Sequence, residues 1–97
     1  MIARITSVKV PEDKIKDTVK MWKEQWGPLI VKQNGCLSHL LMQNRAHPGH
    51  VISLSLWANQ RSIDAFVASP ARDEMRKTLR GDLAALEVTS ELFDMVH

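Results

Sequence analysis

The spacing of apolar residues changes along the first third of the chain and marks two predicted elements. Residues 2–10 (IARITSVKV) are rich in β-branched side chains and partly alternate, which predicts a first strand. From residue 12 onwards, apolar residues recur at spacings of three and four, as in an amphipathic helix. They are Ile15, Val19, Trp22, Trp26, Leu29 and Ile30. Gly27-Pro28 should weaken this helix, and Asn34-Gly35 should end it.

Three further strands and two shorter helices are predicted in the remaining chain. Residues 36–44, 50–58 and 87–96 predict the strands. Ser62 is expected to cap a helix with Ile63, Phe66 and Val67 on its apolar side. Pro70 should break that helix and begin another, with Met75 and Leu79 facing inwards. The order β-α-β-β-α-β predicts one ferredoxin-like α+β domain over residues 1–97, a four-stranded antiparallel sheet with helices on one face and strands one and three central.

The third predicted strand has two different faces. Its aliphatic residues Ile52, Leu54 and Leu56 are expected to face the helices, and Ser53, Ser55 and Trp57 then lie on the uncovered face. Alternation in the other strands adds further residues to the uncovered face, namely Arg4, Thr6, His39, Glu91 and Phe93. This face is too apolar to stay bare, yet its polar groups are costly to bury unpaired. We therefore expect a second copy of the chain to cover it and to enclose a polar pocket.

Composition and charge limit the classes of partner that the chain is expected to bind and the compartment in which it is expected to work. A formal net charge of +2 on 97 residues is too small and too dispersed to predict binding to nucleic acid or to an anionic membrane. The single cysteine, Cys36, excludes an internal disulfide, which favours a reducing compartment. With no apparent leader and no span-length apolar run, a soluble cytoplasmic protein is predicted. His47 and His50 flank a turn without further nearby ligands, so no metal site is predicted.

Several local features together resemble one known family. A helix ends in a glycine-containing turn at Gly35-Cys36, a strand ends in Trp57, and the short helix after it ends in Ser69-Pro70. Over nearly the whole chain this pattern resembles the antibiotic biosynthesis monooxygenase family. The resemblance implies a dimeric α/β barrel. Its known members include cofactor-free monooxygenases that oxidise phenols or quinols, haem-degrading proteins and isomerases of small metabolites.

The residues at the family's functional positions separate these activities. The haem-degrading branch has an asparagine, a tryptophan and a histidine where this chain has Ser7, Phe66 and Arg76, so no haem or other cofactor is expected. The polyketide-oxidising branch combines a strand tryptophan, matched by Trp57, with an asparagine and a tyrosine, replaced here by Ser53 and Ile63. The chain has no tyrosine, which excludes a phenol donor. Ser53, His39 or Arg4 would hydrogen-bond a substrate oxygen instead.

These observations favour a cofactor-independent monooxygenase acting on a small aromatic or quinol-type molecule, in a pocket between the sheet and the helices of a homodimer. His39 and Arg4 are the predicted catalytic residues. Glu91 is expected to pair with Arg4 from the neighbouring strand, either as a structural ion pair or to fix Arg4 while it stabilises an enolate or carboxylate of the substrate. The predicted substrate-binding residues are Trp57, Ser53, Ser55, Thr6, Glu91, Phe93 and Phe66. Two alternatives remain open: a non-catalytic dimeric binding or stress-response protein, and an isomerase that uses His39 as its base.

Overall fold

The fold follows the predicted order of elements. A computed structural model describes the backbone of residues 1–80 and 87–96 and the side chains of residues 1–77 and 87–96. The predicted inward position of Leu79 lies outside the described side chains. The elements are β1 (Ile2–Lys9), a 3₁₀ turn (Glu12–Lys14), α1 (Ile15–Met21), a π-helical turn (Trp22–Trp26), α2 (Gly27–Val31), β2 (Cys36–Gln43), β3 (His50–Trp57), α3 (Gln60–Val67), α4 (Pro70–Arg80) and β4 (Glu87–Asp94).

The four strands form one antiparallel sheet in the order β2-β3-β1-β4. Strands β1 and β3 are therefore central, as the ferredoxin-like topology predicts. Arg4 pairs with Ser55 on β3 and with Leu92 on β4, whereas His39 on β2 also pairs with Ser55. This register places Arg4, Ser55 and His39 in one row across three neighbouring strands, with about 5 Å between strands.

The first helical segment contains a π-helical turn. Helix α1 runs into the turn Trp22–Trp26, where the N–H of Gly27 donates to the carbonyl of Trp22 five residues earlier. The segment then continues as α2, with Pro28 in its first turn, and ends at Val31. The helix therefore widens just before the Gly27-Pro28 position that was expected to weaken it. Gly35, with φ of 85°, turns the chain into β2 in a conformation that favours glycine.

The predicted facing of β1, β2 and β3 is wrong, whereas Glu91 and Phe93 of β4 lie on the uncovered side of the sheet as predicted. Val51, Ser53, Ser55 and Trp57 are buried beneath the helices, whereas Ile52, Leu54 and Leu56 lie on the opposite face. Trp57 packs with Phe66 of α3 in the core that also contains Trp22, Trp26 and Ile30 of the first helical segment. The physical reason is that the large indole fills the sheet–helix layer, and the two serines find hydrogen-bond partners there.

The opposite sheet face, which we call the open face, is strongly apolar. It carries Ile5, Leu40, Met42, Ile52, Leu54, Leu56 and Phe93. Leu40, Met42 and Phe93 are 56%, 45% and 47% exposed. Nothing in the described structure covers this face. The uncovered side of the sheet is therefore the apolar open face and not the face that contains Trp57.

Helix α3 begins one turn earlier than predicted. Asn59 is its N-cap and accepts a hydrogen bond from the backbone N–H of Ser62 at 2.9 Å, so Ser62 is not the cap. The break at Pro70 is confirmed, and the Ser69 hydroxyl accepts from the Arg72 backbone N–H at 3.2 Å. Met75 is buried as predicted. Across the described residues, no helix combines the length and apolarity that a membrane crossing requires.

Candidate functional site

A row of polar side chains lies on the helix-covered face of the sheet. Arg4 and Thr6 come from β1, Ser53 and Ser55 from β3, and His39 from β2. Thr6, Ser53 and Ser55 are all buried. Because buried hydroxyl groups need partners, the contacts of these residues determine what the row can do.

The polar row is linked by hydrogen bonds. Arg4 Nη1 donates to Thr6 Oγ1 at 3.3 Å, and Thr6 Oγ1 shares a hydrogen bond of 3.1 Å with Ser90 Oγ of β4. On the other side, His39 Nε2 and Ser53 Oγ are 2.8 Å apart. The Ser55 hydroxyl points to the carbonyl of Arg4 at 3.5 Å. The hydrogen bonds thus form two groups, one around Arg4 and one around His39, and the two serines of β3 lie between them.

Two stacked aromatic rings stand above the row. Trp57 and Phe66 have ring centroids 5.3 Å apart at an interplanar angle of 28°. Trp57 Nε1 donates to Ser55 Oγ at 2.8 Å, which fixes the indole in its plane. The guanidinium carbon of Arg4 lies 5.8 Å from the centroid of Phe66, within the range of a cation–π contact. Trp57 and Phe66 are both buried, so the stacked pair belongs to the hydrophobic core.

Arg4 lines a cleft between α3 and β4, which we call the Arg4 cleft. Its volume is about 370 Å³, within the range of small-molecule sites. Polar groups come from Arg4, Gln60, Asp64 and Ser90, and apolar walls come from Ile63, Val67, Ala68 and Leu92. Gln60 Nε2 donates to Asp64 Oδ1 at 2.9 Å, which ties the two α3 side chains together. The cleft can hold a small organic molecule with one polar end.

His39 lies in a separate depression, the His39 cleft, which is formed between β2 and the first helical segment. This cleft has a volume of about 320 Å³ and is lined by Trp22, Lys23, Gly27, Pro28, Val31, His39 and Leu41. A Cβ atom at Gly27 would lie 3.2 Å from His39 Nδ1, so the glycine allows the imidazole to approach the helix. Burial lowers the pKa of His39 below its usual range, which keeps the ring neutral at physiological pH.

The charge around Arg4 is positive. Burial lowers the pKa of Arg4, and repulsion by Arg72 and then by Arg76 lowers it further. Both of these arginines belong to α4, which follows the cleft-lining residues of α3 in the chain. The pKa of the Cys36 thiol is raised by burial, against a weaker effect of its bond to the Ser38 carbonyl. The thiol is therefore held in its protonated form, which is not a nucleophile.

The predicted site residues divide into two groups. Arg4, Thr6, His39, Ser53, Ser55, Trp57 and Phe66 come together beneath the helices. Glu91 and Phe93 do not, because Glu91 pairs with Ile5 and Phe93 pairs with Ala3 on the open face. The predicted contact between Glu91 and Arg4 is thus wrong, since the two side chains point to opposite sides of the sheet.

Some cleft residues were missed by sequence reasoning. Gln60 and Asp64 are spaced by four on α3, a pattern too common on helices to indicate a site. Ser90 reaches Thr6 only through the register of β4 on β1. Among the described residues, no group of three or more His, Cys, Asp or Glu side chains is placed to hold a metal ion.

Comparison with known proteins agrees with this architecture. The sequence profile of the family described as antibiotic biosynthesis monooxygenase matches residues 1–78. A candidate antibiotic biosynthesis monooxygenase from Deinococcus radiodurans superposes with a TM-score of 0.88 at 13% identity, covering 100% of this chain and 94% of that one. SnoaB, a cofactor-independent oxygenase from Streptomyces nogalater, superposes with a TM-score of 0.79 at 14% identity, covering 99% and 93%.

At such low identities, the solved structures establish a shared fold and nothing finer. No curated protein matches the sequence. The profile, however, covers most of the chain. It includes every element from β1 to α3 and most of α4. The chain therefore belongs to the antibiotic biosynthesis monooxygenase family.

Proposed function

We propose that the protein is a cofactor-independent monooxygenase that oxidises a small aromatic or quinol-type molecule in the Arg4 cleft. The observation that carries this proposal is the position of Arg4, which lines the cleft while its guanidinium lies over the Phe66 ring. A positive group beside an apolar wall stabilises a substrate that has lost a proton and become an anion. Membership of the family, which includes oxygenases, supports the same reaction class.

In this reaction the substrate supplies the electrons. Its anion reduces molecular oxygen, one oxygen atom enters the product as a new carbonyl group, and the other leaves as water. Arg4 binds the anionic oxygen of the substrate, Thr6 and Ser90 fix the guanidinium, and the apolar wall of the cleft limits access of water. Trp57 acts by holding Phe66 in place rather than by touching the substrate, because the indole is fully buried.

Oxygen consumption tests this proposal directly. A panel of hydroxynaphthalenes and naphthoquinols is supplied to the wild-type protein in an oxygen electrode, with autoxidation subtracted. We expect uptake with at least one compound, and a loss of about 10-fold or more in kcat/KM for Arg4→Gln, since charge-assisted contacts to an anion are strong. Arg45→Gln removes an equal charge from an exposed turn and is the matched control. Tight binding across the panel without oxygen uptake would favour a non-catalytic binding protein instead.

A specific feature supports a second candidate, an isomerase that uses His39 as its base. His39 is half-buried, neutral at physiological pH and oriented by Ser53 Oγ at 2.8 Å, which suits proton transfer. It lies in the His39 cleft, so this reaction would take place between β2 and the first helical segment and not in the Arg4 cleft. His39→Ala should abolish isomerisation and keep ligand binding if this candidate is right, and it should leave oxygen uptake largely intact if the monooxygenase is right.

We also propose that a second copy of the chain covers the open face. An apolar sheet surface of this kind is larger than monomers usually leave exposed, and a two-fold pair of sheets would bury it on both copies. Sedimentation should give a dimer for the wild type and a monomer for Leu54→Glu, which places a charge at the centre of the face. Lys23→Glu on the helical side is the control that should remain dimeric. A wild-type monomer at micromolar concentration would refute this assembly.

A further inference from the structure

The indole of Trp22, in the wall of the His39 cleft, carries an unmet hydrogen-bond donor. Trp22 lines this cleft and is 3% exposed, and its Nε1 atom has no hydrogen-bond partner among the described residues. Trp26 contacts the indole in a T-shaped arrangement, with ring centroids 4.5 Å apart, but an aromatic ring is only a weak acceptor. A buried donor is costly when it is left unpaired, and native structures rarely leave one without a reason.

A π-helical turn brings Gly27 to the same cleft. In an ordinary α-helix, residues five apart point in directions that differ by about 140°. In the wider turn, the N–H of Gly27 donates to the Trp22 carbonyl, and both residues line the His39 cleft. A Cβ atom at Gly27 would lie 3.0 Å from that carbonyl oxygen and 3.2 Å from His39 Nδ1, so a larger residue would press on both. Turns of this kind are frequent at functional sites, which favours a binding site here over a packing defect.

The charge of the cleft lining selects an anionic ligand. Lys23 lines the cleft, and within the described part of the chain it forms no ion pair. Burial keeps the His39 ring neutral, and the described lining contains no carboxylate. An anionic acceptor would therefore satisfy the Trp22 donor and meet the Lys23 charge together. The remaining side chains of the lining are apolar, namely Pro28, Val31 and Leu41.

We propose that the His39 cleft is a binding site for a small monocarboxylate with an apolar tail. The carboxylate accepts a hydrogen bond from Trp22 Nε1 and lies beside the Lys23 ammonium group, and the tail packs against the apolar lining. A cleft of about 320 Å³ is in the size range of small-molecule sites. The site is independent of the proposed monooxygenase, which uses the Arg4 cleft.

The indole resonances test the contact directly. The chain has three tryptophans, and each gives one indole signal in the nitrogen–proton correlation spectrum of the isotope-labelled protein. The probe is 4-methylpentanoate, which has no aromatic ring that would itself shift these signals. We expect the Trp22 proton signal, assigned with Trp22→Phe, to move downfield, and the Trp57 signal to stay in place because its N–H already donates to Ser55. An unchanged Trp22 signal, equal movement of all three signals or a lack of binding would overturn the site.

Matched ligands and variants test the charge. In calorimetry on the full-length protein, 4-methylpentanoate should bind at least about 10-fold more tightly than its neutral amide, since hydrogen bonds to charged groups are stronger. Lys23→Gln should weaken binding of the acid about 2- to 5-fold and leave the amide unchanged, because the contact of an exposed lysine is partly screened by water. Lys20→Gln removes an equal exposed charge from the same helical segment, outside the cleft lining, and should bind like the wild type. Equal affinities for acid and amide, no loss in Lys23→Gln or an equal loss in Lys20→Gln would refute the site.

Arg4→Gln separates this site from the Arg4 cleft, because Arg4 also attracts anions. Its affinity for 4-methylpentanoate should equal that of the wild type, and a loss of about 10-fold would place the acid in the Arg4 cleft and refute the proposal. Acid binding that moves the Trp22 signal, without oxygen uptake for any phenol or quinol, would retain this site and reject the monooxygenase. Oxygen uptake without acid binding would do the reverse.

Discussion

The buried hydrogen bond between Trp57 and Ser55 allows a test of how the helix-covered face of the sheet is packed. Trp57 Nε1 donates to Ser55 Oγ at 2.8 Å, and both residues are almost fully buried, at 0% and 3% exposure. Ser55→Ala removes the acceptor and leaves the indole N–H buried without a partner. Trp57→Phe removes the donor, and the Ser55 hydroxyl keeps only its longer contact to the Arg4 carbonyl at 3.5 Å.

The magnitude follows from these contacts. Leaving a buried polar group unpaired costs about 1–3 kcal/mol, so Ser55→Ala should lower the free energy of unfolding by that amount. In the Trp57→Phe background no indole N–H needs an acceptor, so the same substitution should cost about 1 kcal/mol less. The coupling energy of the double-mutant cycle should therefore be about 1 kcal/mol or more.

Urea unfolding of the four proteins, followed by circular dichroism at fixed protein concentration, measures this coupling. Ser53→Ala is the matched control, because Ser53 lies on the same face of β3 but bonds to His39 rather than to the indole. Its coupling to Trp57→Phe should be near zero, since distant substitutions add. A Ser55–Trp57 coupling equal to that of this control would refute the interpretation of the buried indole.

Three further outcomes follow from the same packing. Burial lowers the folded-state pKa of His39 below its unfolded value of about 6.5, so the unfolded chain binds the proton first as the pH falls through that value. The wild type should therefore lose stability on acidification, and His39→Gln should lose less. Urea melts at several pH values measure this difference, with His47→Gln as the control. Phe66→Ala should cost about 3–5 kcal/mol in urea melts, because the ring is buried and stacked, and a cost below about 1 kcal/mol would contradict this packing. Gly35→Ala should destabilise by more than about 1 kcal/mol, since φ is 85° and the added Cβ would collide with Ser62; an unchanged melting temperature would argue against this turn geometry.

The strands, their order and most of the helix boundaries could be predicted from the sequence. Hydrophobic period is local information, and strand pairing in a β-α-β-β-α-β chain is narrowed by the handedness of crossovers. The alternation of β3 therefore predicted its range within one residue, and the central position of β1 followed from topology. The break at Pro70 could be predicted because proline lacks a backbone donor.

The assignment of the sheet faces could not be made from β3 alone. Both faces of this strand carry apolar residues, and the aliphatic set Ile52, Leu54 and Leu56 has the stronger core pattern, yet it lies on the open face. The helix-covered set includes Ser53 and Ser55, whose burial depends on partners that are distant in the chain. A sheet that is apolar on both sides does not reveal which side its own helices cover.

The predicted contact between Glu91 and Arg4 presents a related difficulty. A shift of one residue in pairing exchanges every side chain between faces. The sequence predicts both Glu91 and Arg4 on the uncovered face, and Glu91 does lie there. Arg4 lies instead on the helix-covered face, where Leu92 pairs with it, so the wrong contact comes from the facing of β1 and not from that of β4.

The π-helical turn at Trp22–Trp26 has a consequence for how this protein could diverge. Such a turn accommodates one more residue than an ordinary helical turn, and it ends where Gly27 faces the ring of His39. Deleting one codon from this stretch would replace the wide turn by an ordinary helical turn and would leave Gly27 and the later residues in place. The chain could therefore shorten here by one residue during evolution and still keep the close approach of Gly27 to His39.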